Sequence, residues 1–211
     1  MKPEKFHSIA IKLTLLCIFV FLLETLYPQF FLNNFVLNSS EILVKPWMIF
    51  THIFLHGSLK HLFFNMFGLV LFGSILEKII GYKNFLIVFF LSGIVSGVGS
   101  ILFYESSLGA SGAIFGVLGV LGIIRPRLVV WVWGVPMYII LALLFWGVLD
   151  LIGIFSPDQV AHAAHLFGLI FGGIIGLKLR GKYKLVGKKK EEEFKISEEE
   201  FKKWEDKYMR R

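Results

Sequence analysis

The sequence has a single cysteine, Cys17, and it sits inside an apolar run. That excludes a disulfide framework and a cysteine-rich metal site. Charge is scarce too: Asp, Glu, Lys and Arg make up 18% of the 211 residues, where soluble domains carry about 25%. The shortage is uneven. Residues 178–211 hold 13 Lys/Arg and 8 Asp/Glu, which leaves 16 charges for the first 177 residues. So few cannot cover a soluble globule of that size. What the chain has instead is 56% hydrophobic residues, a mean hydropathy of +0.73 and 21 glycines, a composition suited to helices packed closely in lipid. The net charge of +7 does not point to nucleic acid, because the basic residues fall at the ends of hydrophobic runs and in the tail. The expected surroundings are a lipid bilayer.

A crossing takes about 20 apolar residues. The hydropathy pattern predicts six transmembrane segments, at 9–26, 60–76, 85–103, 112–124, 135–154 and 162–179. The fold class is therefore all-α, a polytopic membrane bundle over 1–180 followed by a charged tail at 181–211. Residues 27–59 are too polar to span and too apolar for a plain solvent loop. With a cytoplasmic N-terminus, 20 of 22 Lys/Arg fall inside, Lys2 and Lys5 among them, and only Lys45 and Lys60 outside. This bias places both termini in the cytoplasm of a multi-pass protein of the cell membrane. The fourth segment has only 13 residues, roughly 20 Å of helix. Its inner end is fixed by Arg125-Pro126-Arg127, so residues 105–110 are expected to dip into the membrane as a short re-entrant loop. Lipid cannot satisfy irregular backbone, and such a loop must line an enclosed or water-filled cavity. Trp131–Pro136 breaks the inner end of the fifth segment. In the tail, Phe194, Phe201, Trp204 and Tyr208 share a helical stripe, which fits an amphipathic helix lying on the inner leaflet or docked in solvent.

Polar residues inside membrane segments point to function. They cluster toward the outer ends of three segments. His61 and Asn65, spaced four apart, share a helical face after His52 and His56. Ser111 is flanked by Gly109 and Gly112 at the start of the fourth segment. His165 opens the sixth. A serine nucleophile needs a base within about 3 Å and donors aimed at the developing oxyanion. Ser111 at a helix N-terminus has unsatisfied backbone N–H groups beside it, and the neighbouring glycines let a carbonyl approach. Gly168, Gly172 and Gly176 on the sixth segment and Gly112 and Gly116 on the fourth form small-residue stripes that bring the two backbones together. His165 is then the candidate base, and His61 and Asn65 are side-chain donors to the oxyanion. Asp158 falls in the preceding loop and Asp150 is expected away from His165, so the reading is a Ser-His dyad. His52 and His56 either line a water cavity or serve as structural hydrogen-bond groups. Glu77 is expected to tie inner helix ends together. No cofactor is implied, and no set of histidines and carboxylates shows metal-ligand spacing.

These motifs resemble the rhomboid intramembrane serine proteases. The family's His-x-x-x-Asn appears as His61 and Asn65, its Gly-x-Ser-Gly as Gly109-Ala110-Ser111-Gly112, and its Ala-His-x-x-Gly as Ala164-His165-Leu166-Phe167-Gly168. The resemblance implies Ser111 as nucleophile, His165 as general base, and an oxyanion held by His61, Asn65 and the Ser111 N–H. It implies Phe115, where some relatives carry tyrosine, as the ring on which the catalytic imidazole stacks. It further implies cleavage of single-span membrane proteins near the outer face, with substrate entering between the second and fifth spans. One departure is Pro46-Trp47-Met48, where many relatives carry a Trp-Arg pair. A non-catalytic, helix-binding adaptor would lack the serine or the histidine, and both are present. A histidine-lined transporter would need polar groups through the full membrane depth.

Overall fold

The computed structural model describes residues 7–132, 134–156, 158, 160–193 and 198–209. Lys2, Lys5, Trp133 and Phe194, used in the orientation, helix-break and stripe arguments above, lie outside them. Helices α1 (Ile9–Leu26), α2 (Pro28–Phe35) and α3 (Met48–Thr51) come first. Helix α4 (Leu59–Gly68) passes through a π turn at Leu69–Gly73 into α5 (Ser74–Ile80), and Gly81, with φ +81°, turns the chain into α6 (Tyr82–Ser100). Then follow α7 (Ser111–Ile124), α8 (Ile139–Gly153), α9 (His162–Glu193) and α10 (Glu198–Tyr208).

Among the described residues, four helical stretches are long and apolar enough to cross a membrane: Ile9–Leu26, Leu59–Ile80, Tyr82–Ser100 and His162–Tyr183. Helices α7 and α8 are apolar but shorter, at 14 and 15 residues. For α7 this matches the short segment expected. The fifth segment differs from expectation, because residues 135–138 are not helical. Val135–Tyr138 (β4) pairs antiparallel with Val129–Val132 (β3). The cause is local: Val129, Val130, Trp131, Val132, Val135 and Tyr138 are β-branched or aromatic, and Gly134 takes φ +82° in the turn between the strands. Ahead of α7, the segment expected to be irregular is tied down. Ser106–Ser107 (β2) pairs with Leu37–Asn38 (β1), and the Ser39 N–H donates to the Glu105 carbonyl.

Helix α7 is buried almost all the way round, as expected of a helix apolar on every face. It lies between α6 and α9. A Cβ on Gly168 would lie 2.9 Å from the Gly112 carbonyl carbon, and one on Gly172 would lie 2.6 Å from that of Gly116. The small-residue stripes therefore face each other backbone to backbone. On the other side, Gly112 and Gly116 face the side chains of Ser96 and Ser92. Glu77, 3% exposed, accepts the Ala10 N–H at 3.1 Å and so caps α1 from α5, the tie read from the sequence. Leu15, Phe19, Phe63, Phe67, Leu144 and Ile170 are exposed on the outside of the bundle. In water such a surface would be a liability; on these helices it is the lipid-facing side of a multi-pass membrane protein. In α10, Phe201, Trp204 and Tyr208 form one exposed aromatic row.

Candidate active site

Ser111 is the first residue of α7, with Ala110 as N-cap. The N–H groups of a helix's first turn have no intrahelical acceptor, so they point at whatever occupies the space before Ser111. The approach is kept open by Gly109, at φ +121°, whose N–H donates to the His52 carbonyl at 2.9 Å. A Cβ there would lie 2.6 Å from His61 Cε1 and 2.8 Å from Nε2. The His61 ring is thus brought directly against the loop that carries Ser111.

His165 stands in the first turn of α9. Its ring stacks on Phe115, one helical turn beyond Ser111, with centroids 4.3 Å apart and planes 4° from parallel. A Cβ on Gly112 would lie 3.3 Å from the Ala164 carbonyl oxygen. The Gly112–Gly168 contact therefore sets the two helices so that the residues flanking Ser111 meet those flanking His165. Among the described residues no hydrogen bond joins Ser111 Oγ to the imidazole. The other side of the ring is occupied, which the sequence reading did not foresee. His165 Nδ1 is 3.1 Å from Asp150 Oδ1. Asp150, 6% exposed, closes the last turns of α8. This contact corrects the view of Asp150 as remote from His165. The reason is geometric: α8 ends at Gly153 and packs against α9, which opens at His162, so the last turns of one helix meet the first turn of the next.

Asp150 Oδ1 also lies 2.6 Å from His162 Nδ1, and His162 Nε2 lies 3.1 Å from Asp158 Oδ2. Asp158 is exposed, and its carboxyl is held below the usual carboxylate range by the Val160 N–H and by His162. One ligand atom from each of Asp150, His162 and His165 lies within 4.8 Å of the others. Sequence spacing alone had shown no such metal-ligand set; folding two helix ends together assembles it.

His61 Nδ1 is 3.1 Å from the His56 carbonyl oxygen, which fixes the ring's orientation. Asn65, 6% exposed, spends one amide N–H on the His61 carbonyl at 2.9 Å; its amide carries a second. His52 and His56 are buried, at 3% and 0% exposed. His52 Nδ1 contacts the Met48 carbonyl at 3.0 Å, and its ring lies against Gly97 of α6. His56 Nδ1 is 3.1 Å from the Phe54 carbonyl oxygen. Both belong to the frame of the loop before α4. That loop has a support the sequence reading overlooked. Glu24, near the end of α1, accepts the His56 N–H at 3.0 Å and the Gly57 N–H at 2.9 Å. A lone acid in an apolar helix was the available signal.

Burial pushes both loop histidines down to about 4, with the nearby His61 adding to the shift at His56. The unfolded chain takes up protons near pH 6.5, well before the folded one. Stability is therefore full above pH 6.5 and is lost as the pH falls toward 4, at up to about 1.4 kcal/mol per pH unit for each histidine. Thermal unfolding in detergent between pH 7.5 and 4.5 should show this decline. His52→Gln should reduce it by about half, leaving the His56 share; an unchanged slope would remove His52 from the account.

The profile of the rhomboid domain matches residues 44–182. The chain belongs to the rhomboid family. Among its relatives, the rhomboid protease GlpG of Yersinia pestis (strain Pestoides F) is 29% identical over 178 residues, covering 78% of this chain and 60% of that protein. The same protease of Yersinia pseudotuberculosis serotype O:3 aligns with the same identity and coverage. The putative rhomboid protease YdcA of Bacillus subtilis is 34% identical over 135 residues, covering 61% of this chain and 65% of the relative. The chain thus spans about 60% of the length of the first of these relatives. The rhomboid match encloses His52, His56, His61, Asn65, Ser111, Asp150 and His165 but not α1, so Glu24 supports the rhomboid site from outside it.

Proposed function

We propose that this rhomboid is an intramembrane serine protease, with Ser111 as nucleophile, His165 as general base and Asp150 as the residue that positions the base. The observation that carries this reading is the His165 ring, stacked on Phe115 beside Ser111 while Asp150 occupies its Nδ1. With the Nδ1 proton donated to Asp150, the Nε2 lone pair is the one left to accept a proton. Ser111 Oγ attacks the scissile carbonyl carbon and gives its proton to Nε2. The oxyanion forms beside the Ser111 N–H, the second N–H of Asn65 and the His61 ring. Collapse breaks the C–N bond, the imidazolium returns its proton to the leaving amine, and the acyl group stays on Ser111. A water molecule, deprotonated by His165, then releases the acid.

The six-span topology belongs to the same proposal. Helices α7 and α8 complete the four longer ones as shorter crossings, with both termini in the cytoplasm and the serine below the outer surface. Residues 1–180 form the catalytic membrane domain and 181–211 a cytoplasmic tail. The substrate is a single-span membrane protein that enters between the second and fifth spans and unwinds at the cut, since a helix holds its carbonyls in internal bonds. The test is incubation of the purified chain with a single-span substrate alongside fluorophosphonate labelling. Cleavage with label on Ser111 supports the reading, and neither would overturn it.

Asp150 gives a sharper prediction. Asp150→Asn should lower kcat by ~10^2- to 10^4-fold, because the amide can present its N–H to Nδ1 and hold the wrong tautomer. KM should change little, and Asp150→Glu should recover part of the rate. A rise in KM together with the fall in kcat, unrelieved by glutamate, would mean only structural damage.

A further inference from the structure

We propose that Asp150, His162 and His165 form an inhibitory site for a divalent transition-metal ion of the zinc class, read by the same histidine that acts as base. The inhibitory half rests on the Ser111–His165 reading above; the binding half does not. Two imidazoles and one carboxylate, with an open fourth position for water, are a ligand set suited to Zn2+. Their ligand atoms lie within 4.8 Å of one another. In a tetrahedral site with bonds of about 2.0–2.2 Å, ligand atoms stand roughly 3.4 Å apart. Asp150 Oδ1, now 2.6 Å from His162 Nδ1 and 3.1 Å from His165 Nδ1, needs to draw back by less than about 1 Å, and ligand atoms now up to 4.8 Å apart need to close toward that spacing, to admit an ion on those bond lengths.

Two further features fit an ion. Asp158 Oδ2 faces His162 Nε2 at 3.1 Å. A carboxylate on the far nitrogen of a ligating histidine keeps the proton there and turns the other lone pair to the metal. The cluster is also within reach of solvent: the side chains of His162 and His165 are 14% and 13% exposed, and that of Asp158 is 45% exposed. Room for the His162 ring comes from Gly153, where a Cβ would lie 2.6 Å from its Nε2.

The consequence for His165 follows from proton counting. A neutral imidazole has one N–H and one lone pair. With Nδ1–H on Asp150, the lone pair is on Nε2 and accepts the serine proton. An ion on Nδ1 takes that lone pair, so the proton resides on Nε2, and the ring faces Ser111 as a donor. His162 likewise gives up its Nδ1 proton to solvent and keeps Nε2–H on Asp158. Metal and catalysis are therefore mutually exclusive at one nitrogen.

The experiment uses the full chain in detergent, with Co2+ as the spectroscopic probe and Zn2+ as the inhibitor. Wild type should bind one Co2+ with a tetrahedral visible spectrum, and Zn2+ should stop cleavage until EDTA restores it. His162→Gln should bind at least tenfold more weakly, and the cleavage it retains should resist Zn2+. Asp158→Asn, in an exposed loop, should weaken binding by ~10- to 100-fold. Ser111→Ala should give the wild-type Co2+ spectrum. An equal spectrum in wild type and His162→Gln, or equal Zn2+ inhibition of both, overturns the site. If wild type neither cleaves nor takes the fluorophosphonate after EDTA, the protease reading and the inhibition fall together, while His162-dependent Co2+ binding still decides the site.

Discussion

Ser111→Ala is expected to abolish cleavage of a single-span substrate, with a fall of ~10^4-fold or more, while leaving the fold intact. The two halves of the expectation have separate grounds. Activity goes because no other described hydroxyl lies on the loop between Gly109 and the start of α7. Stability stays because Ser111 Oγ makes no hydrogen bond among the described residues, and alanine is at least as good a helix former at that position. His165→Ala should match it, and the double variant should be no worse than either single one, since residues that act as one unit are not additive. Fluorophosphonate labelling and cleavage in the same preparation check this. Residual cleavage in Ser111→Ala near the wild-type rate would mean another nucleophile, and a double variant markedly worse than both singles would mean that the two act independently.

Gly172→Ala should have the largest effect on stability, and its neighbour on the same helix supplies the control. A Cβ at 172 would lie 2.6 Å from the Gly116 carbonyl carbon and closer still to its oxygen, and neither atom can move without shifting α7. At Gly173 an added Cβ meets nothing within 4 Å. Alanine raises helix propensity equally at both, by about 1 kcal/mol. The two substitutions should therefore differ in sign. Gly173→Ala should be neutral or stabilising. Gly172→Ala should cost about 3 kcal/mol or more through overpacking and, by pushing α9 from α7, should part His165 from Ser111. Unfolding of the two variants in the same detergent measures this. Equal stability would mean that the α7–α9 contact is looser than its geometry states.

Much of this was legible in the sequence because membrane physics writes itself plainly. Long apolar helices, paired glycine stripes and polar groups at one end of their helices were all readable, and the stripes at 112/116 and 168/172/176 face each other as their spacing required. Three things were not. The β3–β4 hairpin was hidden because its second strand, Val135–Tyr138, carries no charge and runs without a break into the apolar helix α8. The Asp150–His165 contact joins residues 15 positions apart across a loop whose path no periodicity reveals. Glu24 reaches His56 and Gly57 across more than 30 residues, and only the fold shows which N–H groups it meets.

That last contact bears on what counts as the smallest working piece of this protein. A fragment cut at residue 44, where the family match begins, would still carry every residue assigned a chemical role. It would lack the Glu24 carboxylate under the His56–Gly57 turn and the α1 end that Glu77 caps. Two backbone donors would lose their acceptor at the turn whose His56 carbonyl orients His61, and a buried acid on α5 would lose its donor. The boundary of the rhomboid-domain match and the boundary of what supports the site are therefore different places in this chain, and the second lies back in α1, two helices earlier.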